Sequence, residues 1–277
     1  MFRKLKRMII TLLLLCYVPL ISKQWDLVVC TVFKNESEYL EEWIEHNLDL
    51  GVDHFFLFDD ASSDNYIAVL QPYLARGLIT LAPLNMHNPN HDPGRYSGYQ
   101  ITKTNVIMSE FGHQIKWLAA IDIDEYVVPN KHDSLIAYLN EIESKVPNVG
   151  LVYIPWYNFG TSFCEKVPQG KMTEYLMLRE RDGGVTGKII YFVGRTHAAY
   201  SHHDASACAG FQKVRACFPE EIQLNHYSLR DQDFVRNVRG PLRNWDNRYP
   251  PVSVMLVNWN DVYDDAILKF RERVSED

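Results

Sequence analysis

Glycine is missing where a phosphate loop would need it. The first strand-like run, Leu27–Phe33, leads into Lys34-Asn35-Glu36-Ser37. A loop that wraps a nucleoside triphosphate with backbone amides generally needs glycine there, so the chain argues against nucleotidyl transfer. Basic stripes are also missing past the first few residues. The formal net charge is −7, from 28 Lys and Arg against 35 Asp and Glu, which excludes nucleic acid as a partner. The five cysteines show no metal-binding spacing. Cys208 and Cys217 are spaced to close a small loop in an oxidising lumen, Cys30 reads as a packed thiol in a strand, and Cys16 lies in the terminal apolar run, so cysteine usage leaves the compartment open. There is no internal repeat and no low-complexity segment.

Long apolar runs are scarce. The longest, Met8 to about Ile21, is about 14 residues, short of the roughly 20 that span a bilayer comfortably. Arg3, Lys4, Lys6 and Arg7 precede it and no A-x-A-like cleavage site follows. Residues 1–22 therefore read first as a signal anchor, with a cleaved signal and a membrane-surface or packed helix as alternatives. As an anchor the segment leaves its basic end in the cytosol. The domain would then lie in the Golgi lumen in a eukaryote, whereas a cytoplasmic, membrane-associated placement suits a bacterium. With 277 residues, 47% of them hydrophobic, the remainder at 23–277 suits a single α/β domain.

Within that domain strand and helix patterns alternate. Leu27–Phe33, Val52–Phe58 and Leu78–Leu84 are strand runs. Between them Leu40, Trp43, Ile44 and Leu48 recur at helical spacing after a possible cap at Ser37, and a second helix runs from a cap at Asp64 to about Ala75. Residues 85–98 read as a loop. Helices near 99–111 and 133–145 lead into strands ending at Ile121 and Pro155, and a terminal helix covers about 261–274. Repeated βαβ units predict a mostly parallel, Rossmann-like sheet flanked by helices, followed by a mixed extension over 156–240.

Polar clusters sit just past successive strands: Lys34-Asn35-Glu36, Asp59-Asp60-Ala61-Ser62-Ser63-Asp64, Asp122-Ile123-Asp124-Glu125, and later His226. Open α/β sheets bind ligands at that edge. Asp122 and Asp124 close the buried run Trp117–Ile121, and strand alternation would aim both carboxylates the same way. Two such charges repel in a poorly solvated site. A hard divalent cation would relieve that repulsion and could neutralise a diphosphate, which points to an enzyme using a nucleotide-activated substrate.

The segments VVCTVFKNESEYLEEWIEHNLDLGVDHFFLFDDASSDN, IDIDEYVVP, Trp156-Tyr157-Asn158-Phe159-Gly160, the Lys188 segment GKII, His202-His203 and HYSLRDQDFVRNVRG occur in an order and spacing that resemble the GT-A glycosyltransferases of the family-2-like type, most closely glycosyltransferase family 92. The resemblance covers about residues 26–240. It implies a nucleotide-sugar donor, UDP-linked, with a donor half at about 26–130 and an acceptor half at about 131–260. It implies that Thr31, Glu36, Asp59 and Asp60 line the donor site, that Asp122 faces the ribose or the metal, and that Asp124 and His226 hold Mn²⁺ or Mg²⁺. Lys188 and Arg195 would contact phosphate or acceptor. Trp156, Phe159 and His203 would receive the acceptor, a glycan or glycoconjugate hydroxyl. Transfer of a hexosyl group would proceed with inversion, which needs a carboxylate base. Glu174 is the first choice, with Asp182 and Asp204 as alternatives. A non-catalytic nucleotide- or glycan-binding relative is the competing reading. The chain departs from the family pattern at Thr161-Ser162-Phe163-Cys164, Tyr191-Phe192-Val193-Gly194 and Asp204-Ala205-Ser206, which bears on the acceptor and the transferred sugar and leaves the donor groups untouched.

The one sequon, Asn35-Glu36-Ser37, falls in the expected donor loop, where a glycan would block the site. Intact-mass and peptide analysis of protein from a glycosylating host is expected to find Asn35 unmodified; a glycan on Asn35 would count against the donor-loop placement.

Overall fold

The computed structural model describes residues 24–84, 96–184, 186–201, 203–216, 219–239 and 252–276. The expected anchor at 1–22, most of the 85–98 loop, His202 and the Cys208–Cys217 pairing (through Cys217) lie outside the described residues. No helix among those described is long and apolar enough to cross a membrane.

Alternation of strand and helix holds through the first half: β1 (Trp25–Phe33), α1 (Leu40–Asp49), β2 (His54–Asp59), α2 (Tyr66–Ala75), β3 (Ile79–Pro83), α3 (Tyr96–Glu110), β4 (Ile115–Ala120), β5 (Glu125–Pro129), α4 (Leu135–Lys145) and β6 (Val149–Asn158). There follow α5 (Met172–Tyr175), β7 (Leu178–Arg179), β8 (Gly187–Phe192), β9 (Thr196–Ala199), β10 (Ala205–Ala207), β11 (Gln212–Arg215), β12 (Ile222–His226), α6 (Gln232–Phe234), a π-helical turn (Val235–Arg239), α7 (Val252–Asn258), β13 (Val262–Tyr263) and α8 (Ala266–Ser275).

The central sheet runs β3-β2-β1-β4-β8-β6-β12-β5, with β11 also paired to β6. Pairing is parallel for β1–β2, β1–β4, β2–β3, β6–β11 and β6–β12. It is antiparallel for β4–β8, β8–β6 and β12–β5. The two reversals at β8 cancel, so β1, β2, β4, β6 and β12 all point one way. Their carboxyl ends therefore meet at one edge, together with the first residues of β8 and β5, which run the other way. This mixed α/β, mostly parallel architecture is the one the sequence pattern predicts.

Strand β1 is buried on both faces, as a central parallel strand should be. Leu27, Val29 and Phe33 enter one core with Trp43 of α1, Leu139 of α4 and Phe270 of α8. Val28, Cys30 and Val32 enter the opposite core with Tyr99 and Ile107 of α3. Burial pushes the Cys30 thiol up to about 12, consistent with a packed, inert group. Gly51 ends α1 at φ +85°, where an added Cβ would lie 2.8 Å from Ile136 Cγ2, so that turn needs glycine for both backbone and space.

The expected caps act differently from their local pattern. Helix α1 starts after Tyr39 without a side-chain cap. The Ser37 amide instead donates to Asp64 Oδ2 at 2.7 Å, joining the loops after β1 and β2. At α4, Ser134 Oγ does accept from the Ala137 amide at 3.1 Å, a side-chain cap of the ordinary kind.

His46 on α1, 1% exposed, donates from Nε2 to the Val127 carbonyl at 2.8 Å. Burial first, and Arg271 second, lower its pKa from 6.5 to about 3. Below the ordinary value the unfolded chain binds a proton that the native ring refuses, so stability falls as pH drops through this window. Each pH unit costs about 1.4 kcal/mol. His46→Gln keeps an amide donor for Val127. In urea unfolding at about pH 7 and about pH 5, the variant is expected to lose about 2 kcal/mol less on acidification than the parent; equal losses would show that His46 does not carry this dependence.

Candidate active site

Strand β4 stops at Ala120, and Asp122-Ile123-Asp124-Glu125 forms a tight turn into β5, closed by the Glu125 amide on the Asp122 carbonyl at 3.1 Å. The two aspartates are therefore not on a strand and do not share one set of partners, which corrects the alternation argument. A turn rotates successive side chains by other angles than a pleat does.

Asp122 faces β8 and α3. Lys188 Nζ of β8 donates to its Oδ2 at 2.8 Å, and Gln100 Nε2 of α3 donates to Oδ1. Lys188 is 2% exposed and lies 3.4 Å from Glu125 Oε2. Burial alone would lower its pKa; Asp122 and Glu125 outweigh that and hold the ammonium charged. Glu125 itself is pushed up to about 8, by burial first and by Asp122 and Asp124 after the opposing pull of Lys188. Its Oε2 accepts the Asp122 amide at 2.8 Å while its Oε1 has no partner among the described residues. Lys188 is thus a buried counter-ion beneath the turn and not a group free to meet a ligand phosphate. Thr31, Gln100, Thr104, Asp122, Lys188 and Ser201 border a small cleft between β1 and α3.

Asp124 faces the other way, toward His226 at the end of β12. Its Oδ2 lies 3.8 Å from His226 Nε2. Burial would raise the Asp124 pKa, but His226 where it is protonated, and Arg230, Arg239 and Lys188 throughout, pull it below the usual carboxylate value. His226 is pushed down to about 4, by burial first, so its ring is neutral near pH 7. Nδ1 of that ring donates to Asn158 Oδ1 at 2.8 Å. The Nε2 lone pair and the Asp124 carboxylate are therefore two acceptors facing each other with no proton between them. Two ligands each about 2.1 Å from one divalent ion sit between ~3 Å and ~4.2 Å apart, so the observed separation fits a cation. Asp122, satisfied by Lys188 and Gln100, does not complete the set. Among the described residues no group of three or more His, Cys, Asp or Glu side chains is gathered to hold a metal alone.

Trp156 stacks on His226 with centroids 4.3 Å apart and 20° between planes, and meets His203 edge-on at 4.8 Å. His203 Nδ1 donates to the Gly187 carbonyl at 2.8 Å. Glu36 accepts from Arg230 at 2.6 Å. Arg230, 4% exposed, lies over the Tyr39 and Phe234 rings. Burial first raises the Glu36 pKa, to about 7, against the pull of Arg230. Asp59 accepts from the Ser62 amide at 2.9 Å and the Tyr66 hydroxyl at 3.1 Å, which shapes the loop after β2. Asp60 is 3.7 Å from Lys34.

The structure separates the other predicted residues from this cluster. Phe159 is 0% exposed within the main core, so its ring cannot serve as an acceptor platform. Arg195 bonds Glu143 of α4 and the Pro147 and Val149 carbonyls leading into β6, at the far end of the sheet. Glu174 pairs with Lys171 at 2.6 Å and Asp204 with Lys213 at 2.6 Å, both near the surface. Asp182 is exposed in the loop before β8. Sequence reasoning missed Gln100, Asn158, Glu180, Arg230 and Arg239. Asn158, Arg230 and Arg239 lie inside segments already singled out, so proximity in sequence was the available signal; Gln100 and Glu180 carried none.

Residues 26–257 match the model of glycosyltransferase family 92. A family 92 protein of Ricinus communis is 22% identical over 236 residues, covering 82% of this chain and 40% of that protein. One of Oryza sativa subsp. japonica is 24% identical over 168 residues, covering 56% of this chain and 26% of that protein. The chain thus spans less than half the length of these relatives. Among solved structures, Staphylococcus aureus TarS 1–349 is similar at TM-score 0.45 and 11% identity, over 90% of this chain and 70% of that one. Glucosyl-3-phosphoglycerate synthase of Mycobacterium tuberculosis, solved with Mn²⁺, UDP and glucosyl-3-phosphoglycerate, is similar at TM-score 0.35 and 17% identity, over 61% and 57%. On the match across most of its length, this chain belongs to glycosyltransferase family 92.

Proposed function

We propose that the chain is a metal-dependent glycosyltransferase that moves a hexosyl group from a UDP-sugar to a hydroxyl of a glycan or glycoconjugate, with inversion. The observation that carries the metal reading is the pair of facing acceptors, Asp124 Oδ2 and His226 Nε2, 3.8 Å apart at the sheet edge where α/β folds bind ligands. Asp124 and His226 would hold Mn²⁺ or Mg²⁺, with diphosphate oxygens and water as the remaining ligands. When bound, the cation supplies positive charge to the leaving diphosphate.

The chain's own residues do the rest. Arg230 and Arg239 place positive charge around Asp124 and would share the load of the diphosphate. Asp122, held by Lys188 and Gln100, presents a fixed carboxylate edge beside Thr31 for the nucleoside. Trp156, flat against His226, would offer its exposed side to the acceptor. Of the three candidate bases, Glu174 and Asp204 are engaged by lysines and Asp182 lies exposed in the loop before β8, so none of the three is assigned the hydroxyl proton. Residues 1–22 would tether this domain to a membrane.

Release of UDP from a panel of UDP-sugars, with Mn²⁺ and with chelator, tests the reading in the full chain. Chelator-sensitive release from one donor is expected, and Asp124→Ala should lower it on the order of a hundredfold or more with unfolding unchanged. UDP binding without turnover on any donor would favour the non-catalytic alternative. Lys188→Met should behave differently, leaving Asp122 and Glu125 without their counter-ion and costing about 3–5 kcal/mol of stability in urea unfolding; an unshifted midpoint would show that the buried ion pair is not structural.

A further inference from the structure

Glu180 follows β7, and its Oε1 accepts two N–H groups from one residue, the Asn158 backbone amide at 2.9 Å and Asn158 Nδ2 at 2.8 Å. The Glu180 amide donates back to the Asn158 carbonyl at 2.9 Å. This reciprocal grip settles which way the Asn158 amide points. Its NH₂ is spent on Glu180, so its oxygen is the atom turned toward His226 Nδ1, at 2.8 Å. An amide oxygen only accepts, so Nδ1 must carry a proton, and in the neutral ring Nε2 then keeps its lone pair.

The surrounding structure leaves little room for another arrangement. Asn158 and His226 are register partners in the parallel β6–β12 ladder. Trp156, two residues earlier on the same face of β6, covers the imidazole with a near-parallel ring. Arg179, beside Glu180, is itself pinned by Asp264 at 2.5 Å and by the Tyr157 ring. The chain Glu180–Asn158–His226 ends on an unprotonated Nε2 aimed at Asp124, 3.8 Å away.

We propose that Glu180 and Asn158 are positioning residues that impose the Nδ1–H tautomer on His226 and thereby make its Nε2 a ligand for a divalent cation. The inference rests on the metal reading above and adds the residues that prepare the site before a cation arrives. A ligating imidazole is oriented through its other nitrogen, and losing such a partner weakens metal binding by about 10–100-fold.

The test reads the tautomer and the metal separately. Long-range ¹H–¹⁵N NMR of the metal-free full chain is expected to show His226 protonated at Nδ1. Mn²⁺ titration followed by electron paramagnetic resonance gives the affinity. Asn158→Leu removes the acceptor and should release the tautomer and weaken Mn²⁺ binding by about 10-fold or more. Glu180→Gln keeps an accepting oxygen and should preserve both; Glu180→Leu frees the amide to rotate and should reproduce the loss, which covers the case that Asn158→Leu fails to fold. A wild-type ring protonated at Nε2, or wild-type Mn²⁺ affinity in both leucine variants, would overturn the proposal. Wild-type protein with the Nδ1–H ring but no Mn²⁺ binding would overturn the metal reading and, with it, the ligand role assigned to Nε2.

Discussion

The site depends on one buried charge. Lys188 enters the sheet edge as the second residue of the antiparallel strand β8 and is almost wholly removed from water. An ammonium there is tolerable only with anionic partners close by. Asp122 supplies the facing carboxylate, with Glu125 Oε2 3.4 Å away, and that demand fixes the turn between β4 and β5. With Asp122 drawn to Lys188, Asp124 is left on the other side of the same turn, facing His226. The division of the acidic pair, one carboxylate to Lys188 and the other toward His226, follows from the position of the lysine.

The same edge joins elements distant in sequence through polar contacts, not through the apolar core. Arg230, after β12, holds Glu36, after β1. Asp64, after β2, holds the Ser37 amide. Trp43 of α1 donates to the Glu125 carbonyl at 3.2 Å. Each of these side chains is buried or half-buried, so each bond is costly to lose, and together they hold the loops that form the cleft. The apolar layers on the two sides of the sheet set where the edge lies; the polar contacts set its shape.

Much of this was legible in the sequence. Strand runs such as Leu27–Phe33 and helix patterns such as Leu40–Leu48 appear close to their predicted limits because a buried strand and an amphipathic helix are local patterns with their own periods. Where reading failed, a distant partner had won: Ser37 and Asp64 bond each other's loops instead of capping helices, Phe159 is covered by the core, and Arg195 serves the opposite end of the sheet. A residue's neighbours in the chain say nothing of those partners.

By itself, the sequence determined the alternating α/β pattern, the acidic cluster after β4, the late histidine and the family to which these belong. All are carried by residue order, through local periodicity and motif spacing. Only the tertiary structure decided that Asp122 belongs to Lys188 and Asp124 to His226, that Glu180 and Asn158 orient the imidazole, and that Arg230 and Arg239 bring positive charge to the same edge. These depend on the pairings of β8 with β4 and β6 and of β12 with β5 and β6, which bring residues up to about two hundred positions apart within hydrogen-bond reach, where charge, burial and donor geometry, not order along the chain, choose the partner.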